Sequence, residues 1–509
     1  MIQVPFDHQN AETAGSSSPV DTPQSAPALT RRLGWGALLI LGVGNILGAG
    51  VYVMTGTAAA NYAGPGVILS FIMAGIACGM VGLCYAELAS RFPQSGSAYS
   101  YCRASFGRRA SWILGWLLLL EYNLSASILA VGFAGYLGSL LYGFGLNLPT
   151  ALSSPLLDST MRHGHAVLTL GHGINLVAAL AAVAAGAILA LGISKSIAIN
   201  AVLVAIKVSV LLVFIGIGLS AVVPSNWHPL IPANEGGFSY GWAGVCRAAS
   251  MLFFAYLGFE TVSTAAAETR RPRRDVPIGI FGSLAICTLL YIAAAAVVTG
   301  MVPFRELGVP DPIAVAVDRM GRPGMAMVIK LGALTGLASV LLANAYGQSR
   351  ICFAIAADRL LPELFCRRHP RNGSLWLSNL LLGAIAAVSA ALLPISLLGD
   401  LVCLGVTSCF CVVAITLMRV RGRETCPADG FRVPLGGIRV KGLWLGFVPV
   451  AAIALSGAMV APVMIDIASR AINGDILPAA MLSIYLCLGA LVYLCYGRRQ
   501  PAPIRMELF

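Results

Sequence analysis

The sequence predicts an all-α polytopic membrane protein with twelve transmembrane helices, and three observations carry that expectation. Of 509 residues, 58% are hydrophobic and 11% charged, with a mean hydropathy of +0.83, too little polar surface to cover a soluble globule. Apolar runs of roughly 20 residues, the length that a hydrocarbon core of ~30 Å demands, recur along the chain. Two of these runs are interrupted by glycine, at 42–50 and at Gly258, where an ordinary anchor would continue unbroken. Unwound backbone at membrane depth is tolerated only where protein surrounds it or a watery cavity meets it.

Residues 1–32 are polar and rich in Ser, Pro and Ala, lack the apolar core of a signal peptide, and are expected to form a disordered cytoplasmic tail. Spans are expected at 34–60, 66–90, 109–141, 166–192, 197–223, 242–266, 277–302, 326–357, 375–393, 396–419, 443–468 and 475–496. Between the third and fourth, 141–166 reads as a polar loop with Pro149 and Pro155, and Pro394 separates the ninth from the tenth. The spans group into a first unit at 33–223 and a second at 224–419. A cytoplasmic loop and two accessory spans follow at 420–496, and a cytoplasmic tail at 497–509.

Charge sets the expected orientation. With the N-terminus inside, Arg31, Arg32, Arg91, Arg103, Arg108, Arg109, Lys195, Arg270 to Arg274, Arg350 to Arg371, Arg419 to Lys441, Arg498 and Arg499 face the cytoplasm. Arg162, Arg305, Arg319, Arg322 and Arg470 fall opposite. That asymmetry predicts a multi-pass protein of the inner (plasma) membrane with both termini cytoplasmic.

The net charge of +12 is scattered over short loops, which argues for topology and against nucleic acid. Thirteen cysteines form no C-x-x-C pair and read as small buried residues. Gly42-x-Gly44 imitates a dinucleotide fingerprint, but Leu47 stands where its third glycine belongs. Neither a hydrolase motif nor a Walker sequence is present, so no enzyme activity, cofactor or metal is expected, and energy for movement must come from gradients.

The two interruptions lie at similar depth when approached from opposite sides. Gly48 is about fourteen residues from the inner start of its span and Gly258 about as far from the outer start of its own, roughly 20 Å at 1.5 Å per residue. Opposed breaks are what an inverted repeat produces. Three ionisable residues also fall within spans: Glu121, Lys207 and Glu260. Lys207 reads either as a proton-coupling group, its charged form penalised by burial, or as a permanent cation tied to carbonyls of the broken first helix. Glu121 either lines a pocket or pairs with a neighbouring helix, and Glu260 belongs to an inner vestibule.

The stretches GVGNILGAGVYVMTG (42–56), GLCYAELASRFPQSGSAYSY (82–101), NAVLVAIKVSVLLVFIGIG (200–218), FFAYLGFETVSTAAAETRRPRRDVPIGI (253–280) and YGQSRICFAIAADRLLPELF (346–365) resemble the amino acid–polyamine–organocation superfamily. Within it the likeness is to the cationic amino acid transporter family, bacterial branch. The resemblance implies a LeuT-like five-plus-five inverted repeat with discontinuous helices 1 and 6 and two accessory helices. It implies that the N–H groups of Gly48, Ala49 and Gly50 hold a substrate α-carboxylate, and that carbonyls of Ile46, Phe254, Ala255 and Leu257 hold the α-ammonium. Phe259 matches an aromatic that closes over substrate, Asn344 a position facing the substrate side chain, and Lys207 a lysine standing where sodium binds in sodium-driven relatives. Twelve spans instead of fourteen weaken transfer of the cationic specificity, and Glu121 is the one acid positioned to meet a substrate cation.

The combined expectation is a secondary active amino acid transporter, a proton-coupled symporter that works by alternating access with one central substrate site. Its partners would be a small-molecule amino acid, protons and the lipid bilayer. The alternatives are an exchanger of amino acids or a polyamine without net proton movement and, more remotely, a transport-inactive amino acid sensor.

Overall fold

The computed structural model describes residues 33–92, 97–162, 165–192, 197–423 and 430–500. The expected tail at 1–32, Lys195 and residues 501–509 lie outside the described residues. Helix α1 (Trp35–Ile46) stops at Leu47, whose ψ of 93° turns the chain out of the helix. A second limb resumes at Ala49 and runs through the short α2 (Thr55–Ala58), flanked by the wider turns Gly50–Met54 and Ala59–Ala63. Gly64, at φ +58°, ends that limb and the chain enters α3 (Val67–Arg91).

Next come α4 (Ser97–Phe106), α5 (Arg108–Gly143) and α6 (Thr150–Ser153). The end of the stretch read from sequence as a polar loop and the first residues read as the fourth span instead form an antiparallel hairpin of β1 (Leu157–Arg162) and β2 (His165–Leu170). The fourth span therefore starts later, as α7 (Leu176–Ala190), capped by the Asn175 side chain. It is followed by α8 (Ile197–Gly218) and by the second interrupted run. There α9 (Gly241–Leu252) tightens at Phe253–Tyr256, opens at Leu257 and Gly258, and resumes as α10 (Glu260–Thr264).

The remainder comprises α11 (Pro272–Met301), α12 (Pro312–Asp318), α13 (Pro323–Ala357), α14 (Trp376–Leu392) and α15 (Ile395–Arg423). A second hairpin, β3 (Gly437–Val440) and β4 (Leu443–Gly446), precedes α16 (Phe447–Ile472) and α17 (Leu477–Val492). The two hairpins are the departure from an all-α expectation.

Among the described residues, nine helical stretches are long and apolar enough to cross a membrane. The first, Trp35–Arg91, carries both α1 and α3 and at 57 residues is about twice too long for one crossing. Two shorter apolar helices, α7 and α14, pack backbone to backbone, with Gly186 so close to Asn379 that an added Cβ would lie 2.7 Å from its carbonyl oxygen. Helix α17 buries only Pro478 and Gly489, as a helix facing lipid does, and is held by Trp116 stacked on Tyr485 and by Trp112 Nε1 donating to the Gly489 carbonyl at 3.1 Å.

Charges buried at the helix ends are paired. Glu87 of α3 accepts two bonds from Arg421 of α15 at 2.6 Å and one from the Val433 amide at 2.7 Å, tying the hairpin segment to the bundle. In the segment between α11 and α13, burial pushes the Asp311 carboxyl up to about 6, in spite of Lys330 nearby. The folded chain therefore penalises ionised Asp311 above that pH, and the penalty is relieved as pH falls through 6 toward the unfolded value near 4. Thermal unfolding in nanodiscs is expected to show wild type gaining a few degrees over Asp311→Asn between pH 7.5 and 5; parallel curves for the two proteins would remove Asp311 as the cause.

Candidate functional site

The two interruptions meet. An added Cβ on Gly258, which has φ +117°, would lie 2.6 Å from the Asn45 carbonyl carbon, and one on Gly50 would lie 2.7 Å from Ala255 Cα. Side chains larger than hydrogen cannot stand at either crossing without separating the limbs. Around this contact lies a cavity bordered by both interruptions and by α5 and α13.

Its wall includes Ile46, Gly48, Ala49, Gly50, Glu121, Phe254, Ala255, Leu257 and Asn344, all singled out from sequence. Gly48, Ala49 and Gly50 open the second limb, where the first N–H groups have no helical carbonyl one turn back. Those N–H groups and the limb dipole favour an anion, while the carbonyl ends of the facing half-helices favour a cation.

Phe259 stands elsewhere. It is fully buried in an aromatic cluster, edge-on to Tyr85 at 5.4 Å and tilted against Phe410 at 5.5 Å, and is absent from the cavity wall. Phe254, five residues earlier and before the break, is the phenylalanine on the wall. Lys207 is also off the wall, 1% exposed, with Nζ donating to the Gly44 carbonyl at 2.8 Å. It thus grips α1 two residues before Ile46. Gly336 of α13 leaves room for its stem, since an added Cβ there would lie 3.3 Å from Lys207 Cγ.

Glu260 accepts the Gly258 amide at 2.8 Å and lies 3.4 Å from the Tyr122 hydroxyl, so it caps its own half-helix while facing the cavity. Glu121 is 2% exposed and its Oε2 has no hydrogen-bond partner. A second, smaller cavity reaches from Ser97 and Tyr99 to the same Glu121, Tyr122 and Glu260. Near its far end, Asp358 accepts from Tyr99 at 2.8 Å and from Arg103 at 3.0 Å.

Several residues that hold the site were missed from sequence. Tyr291 of α11 places its hydroxyl 2.6 Å from the Ile46 carbonyl and 2.9 Å from that of Ala255, one group spanning both breaks. Asn45 donates to Thr261 at 2.7 Å and Thr261 donates to the Gly258 carbonyl at 2.6 Å, while Asn344, already singled out from sequence, donates to the Tyr122 carbonyl at 2.7 Å. A tyrosine in an apolar run carries no signal of its own; only the demand of buried carbonyls for donors could have prompted a search for one.

This architecture, a bundle of apolar helices with two broken limbs around one buried cavity, is that of a membrane permease. The chain belongs to the amino acid permease family, whose model matches residues 33–492. It is 39% identical to the methylthioribose transporter of Bacillus subtilis, over 80% of this chain and 85% of that one. It is 37% identical to the branched-chain amino acid permease BcaP of the same organism, over 80% and 84%. It is 34% identical to the vacuolar cationic amino acid transporter 4 of Arabidopsis thaliana, over 80% and 65%. The protein is accordingly a multi-pass membrane transporter of a family of amino acid permeases and not an enzyme.

The closeness of the two breaks makes glycine a requirement there. Gly50→Val is expected to lower uptake at least tenfold by forcing the limb off Ala255, with a smaller loss for Gly48→Ala, whose added Cβ would meet only Val340 Cγ1 at 3.1 Å. Radiolabelled uptake normalised to membrane expression measures both, and equal losses would contradict the stated geometry.

Proposed function

We propose that the chain is a secondary active amino acid transporter that holds its substrate across the two breaks and takes up protons through Lys207. The observation that supports this most is that the opening amides of the 49–63 limb and the terminal carbonyls of α1 and α9 border one cavity, so that a zwitterion meets complementary partial charges at both ends. On this reading Gly48, Ala49 and Gly50 take the α-carboxylate. Ile46, Phe254, Ala255 and Leu257 offer carbonyls to the α-ammonium, and Asn344 and Glu121 face the side chain. Phe254 takes over the covering role first expected of Phe259.

Counting Trp35–Arg91 as two crossings and including α7 and α14 gives twelve, with both termini on the cytoplasmic side by the distribution of basic residues. The smaller cavity running to Tyr99 and Asp358 then forms the inner route, and substrate leaves past Glu121 and Glu260.

Lys207 couples protonation to α1 by direct contact. A protonated Nζ gives Gly44 a charge-assisted bond, worth about 1.5–3 kcal/mol, and loss of the proton weakens that grip beside Ile46. Lys207→Ala is expected to abolish accumulation driven by a pH gradient in proteoliposomes while ligand-induced thermal stabilisation persists. Undiminished gradient-driven accumulation by that variant would end the proton role, and uptake that requires internal substrate whatever the gradient would indicate an exchanger.

The methylthioribose relative gives a second reading of the substrate weight, because the chain is as similar to it as to the amino acid permeases. Thermal-shift titration with the twenty amino acids, common polyamines and methylthioribose separates the two. A ligand at a hundred times its Kd stabilises the folded state by about 2.7 kcal/mol, and a response to methylthioribose alone would overturn the amino acid assignment.

A further inference from the structure

Four fully buried charges lie away from the cavity. Arg247 of α9 donates to Asp400 of α15 at 2.6 Å and to Asp466 of α16 at 3.2 Å, and Arg470, one turn beyond Asp466, donates to it at 2.6 Å and lies 3.7 Å from Asp400. Each residue is at most 1% exposed. The Arg247 guanidinium also lies 4.7 Å from the ring centroid of Tyr62, on the limb that follows the first break.

The cluster is neutral, so it does not serve to place a charge, and it is not fully satisfied. Arg247 Nε and Nη1, Arg470 Nε, Asp400 Oδ2 and the Tyr62 hydroxyl have no hydrogen-bond partner. A buried ion network with open valences is a poor way to stabilise a fold, since apolar residues of like volume do as well or better. What it does supply is direction: it joins three elements through bonds that break all at once when one partner moves.

Those elements are informative. Arg247 is six residues before Phe253, where α9 tightens into the break, so whatever fixes Arg247 fixes the carbonyls of Phe254 and Ala255. Gly399, next to Asp400, packs where an added Cβ would lie 2.9 Å from Met54 Cε and 3.2 Å from Met251 Cε, one methionine from each limb. Gly244 rests against the Tyr62 backbone, its added Cβ 3.1 Å from the Tyr62 carbonyl carbon. The two limbs on this side of the breaks thus form one body, and the cluster ties that body to α16.

We propose that Asp466 and Arg470 of α16, with Asp400, are positioning residues for the central cavity: through Arg247 they hold α9 and the 49–63 limb in place and keep closed the face of the cavity those limbs cover. Helix α16 is then part of the gate and not an accessory. This rests on the alternating-access reading, but its test requires no substrate.

The test uses Ala343→Cys, on the cavity wall, in the full chain with its other cysteines replaced, and a membrane-impermeant maleimide applied to right-side-out and inverted vesicles. Asp466→Asn is expected to raise labelling at least fivefold from one face only, the face carrying α9. The double variant Asp466→Asn/Arg470→Gln, which keeps the cluster neutral and so protects folding, is expected to do the same because it too releases Arg247 from α16. A double variant labelled at the parent rate from both faces would overturn the proposal, as would a rise shared equally by both faces, which is general loosening. A lower melting temperature with unchanged labelling would reduce the cluster to a structural role and overturn it as well. A parent protein that takes up no amino acid, while the variants still show the one-sided rise in labelling, would count against the transport reading and not against this one.

Discussion

Two helices that come apart inside a membrane must find partners for every peptide group they release, and that demand organises the rest of the molecule. A free amide or carbonyl in hydrocarbon costs several kcal/mol. The structure meets the demand group by group: Tyr291 serves the carbonyls of Ile46 and Ala255, Lys207 that of Gly44, Thr261 that of Gly258, and Glu260 the amide of Gly258. Lys207 and Tyr291 come from α8 and α11, so two further elements are fixed in place by the requirements of the breaks, while Thr261 and Glu260 belong to α10, the resumed half of the second run. The opening amides at 48–50 border the cavity instead, and a ligand is the natural group to complete them.

The same accounting explains why one small volume can communicate with distant parts of the bundle. Tyr291 touches both breaks, and a single hydroxyl has one proton to donate, so it cannot bond fully to both carbonyls at once. A substrate ammonium at either carbonyl would change which one the hydroxyl serves. Lys207 acts on α1 from the opposite side, and Glu121 and Glu260 face both cavities. Each is a point of contact through which a change in the cavity can bias how the limbs sit.

Most of this was legible in the sequence where backbone chemistry speaks through glycine. Gly48, Gly50 and Gly258 announce the breaks, and at Gly50 and Gly258 only glycine lets the two backbones approach so closely; the wall residues around them followed. Phe259, expected to close over substrate, lies off the cavity wall, since a motif fixes spacing but not the side of the turn. The chain opens at Leu257 and Gly258, so Phe254 remains on the cavity side while Phe259 begins the next half-helix and turns toward Tyr85 and Phe410. The hairpin at 157–170 was lost because proline and polar residues mark a loop without saying whether its arms pair. Tyr291, Asn45 and Arg247 were invisible for a different reason, since their partners lie tens to hundreds of residues away and no local pattern records them.

The division of labour in the cavity bears on what a family name can convey. In the proposed cradle the groups that would hold the zwitterion are peptide N–H and C=O, which any sequence supplies once the breaks exist. On that proposal selectivity is left to side chains on the wall, among them Glu121, Phe254, Glu260, Val340 and Asn344. Relatives at 34–39% identity bear names as different as methylthioribose transporter, branched-chain amino acid permease and cationic amino acid transporter. That spread is what a backbone site produces, because exchanging a handful of side chains changes the ligand while the glycines and the partners of the broken ends stay under the same physical constraint. On that proposal Glu121, whose Oε2 has no hydrogen-bond partner within the protein, is the side chain that separates those classes most: a donor on the substrate would satisfy the atom, and an apolar side chain would leave it buried at a cost of about 1–3 kcal/mol.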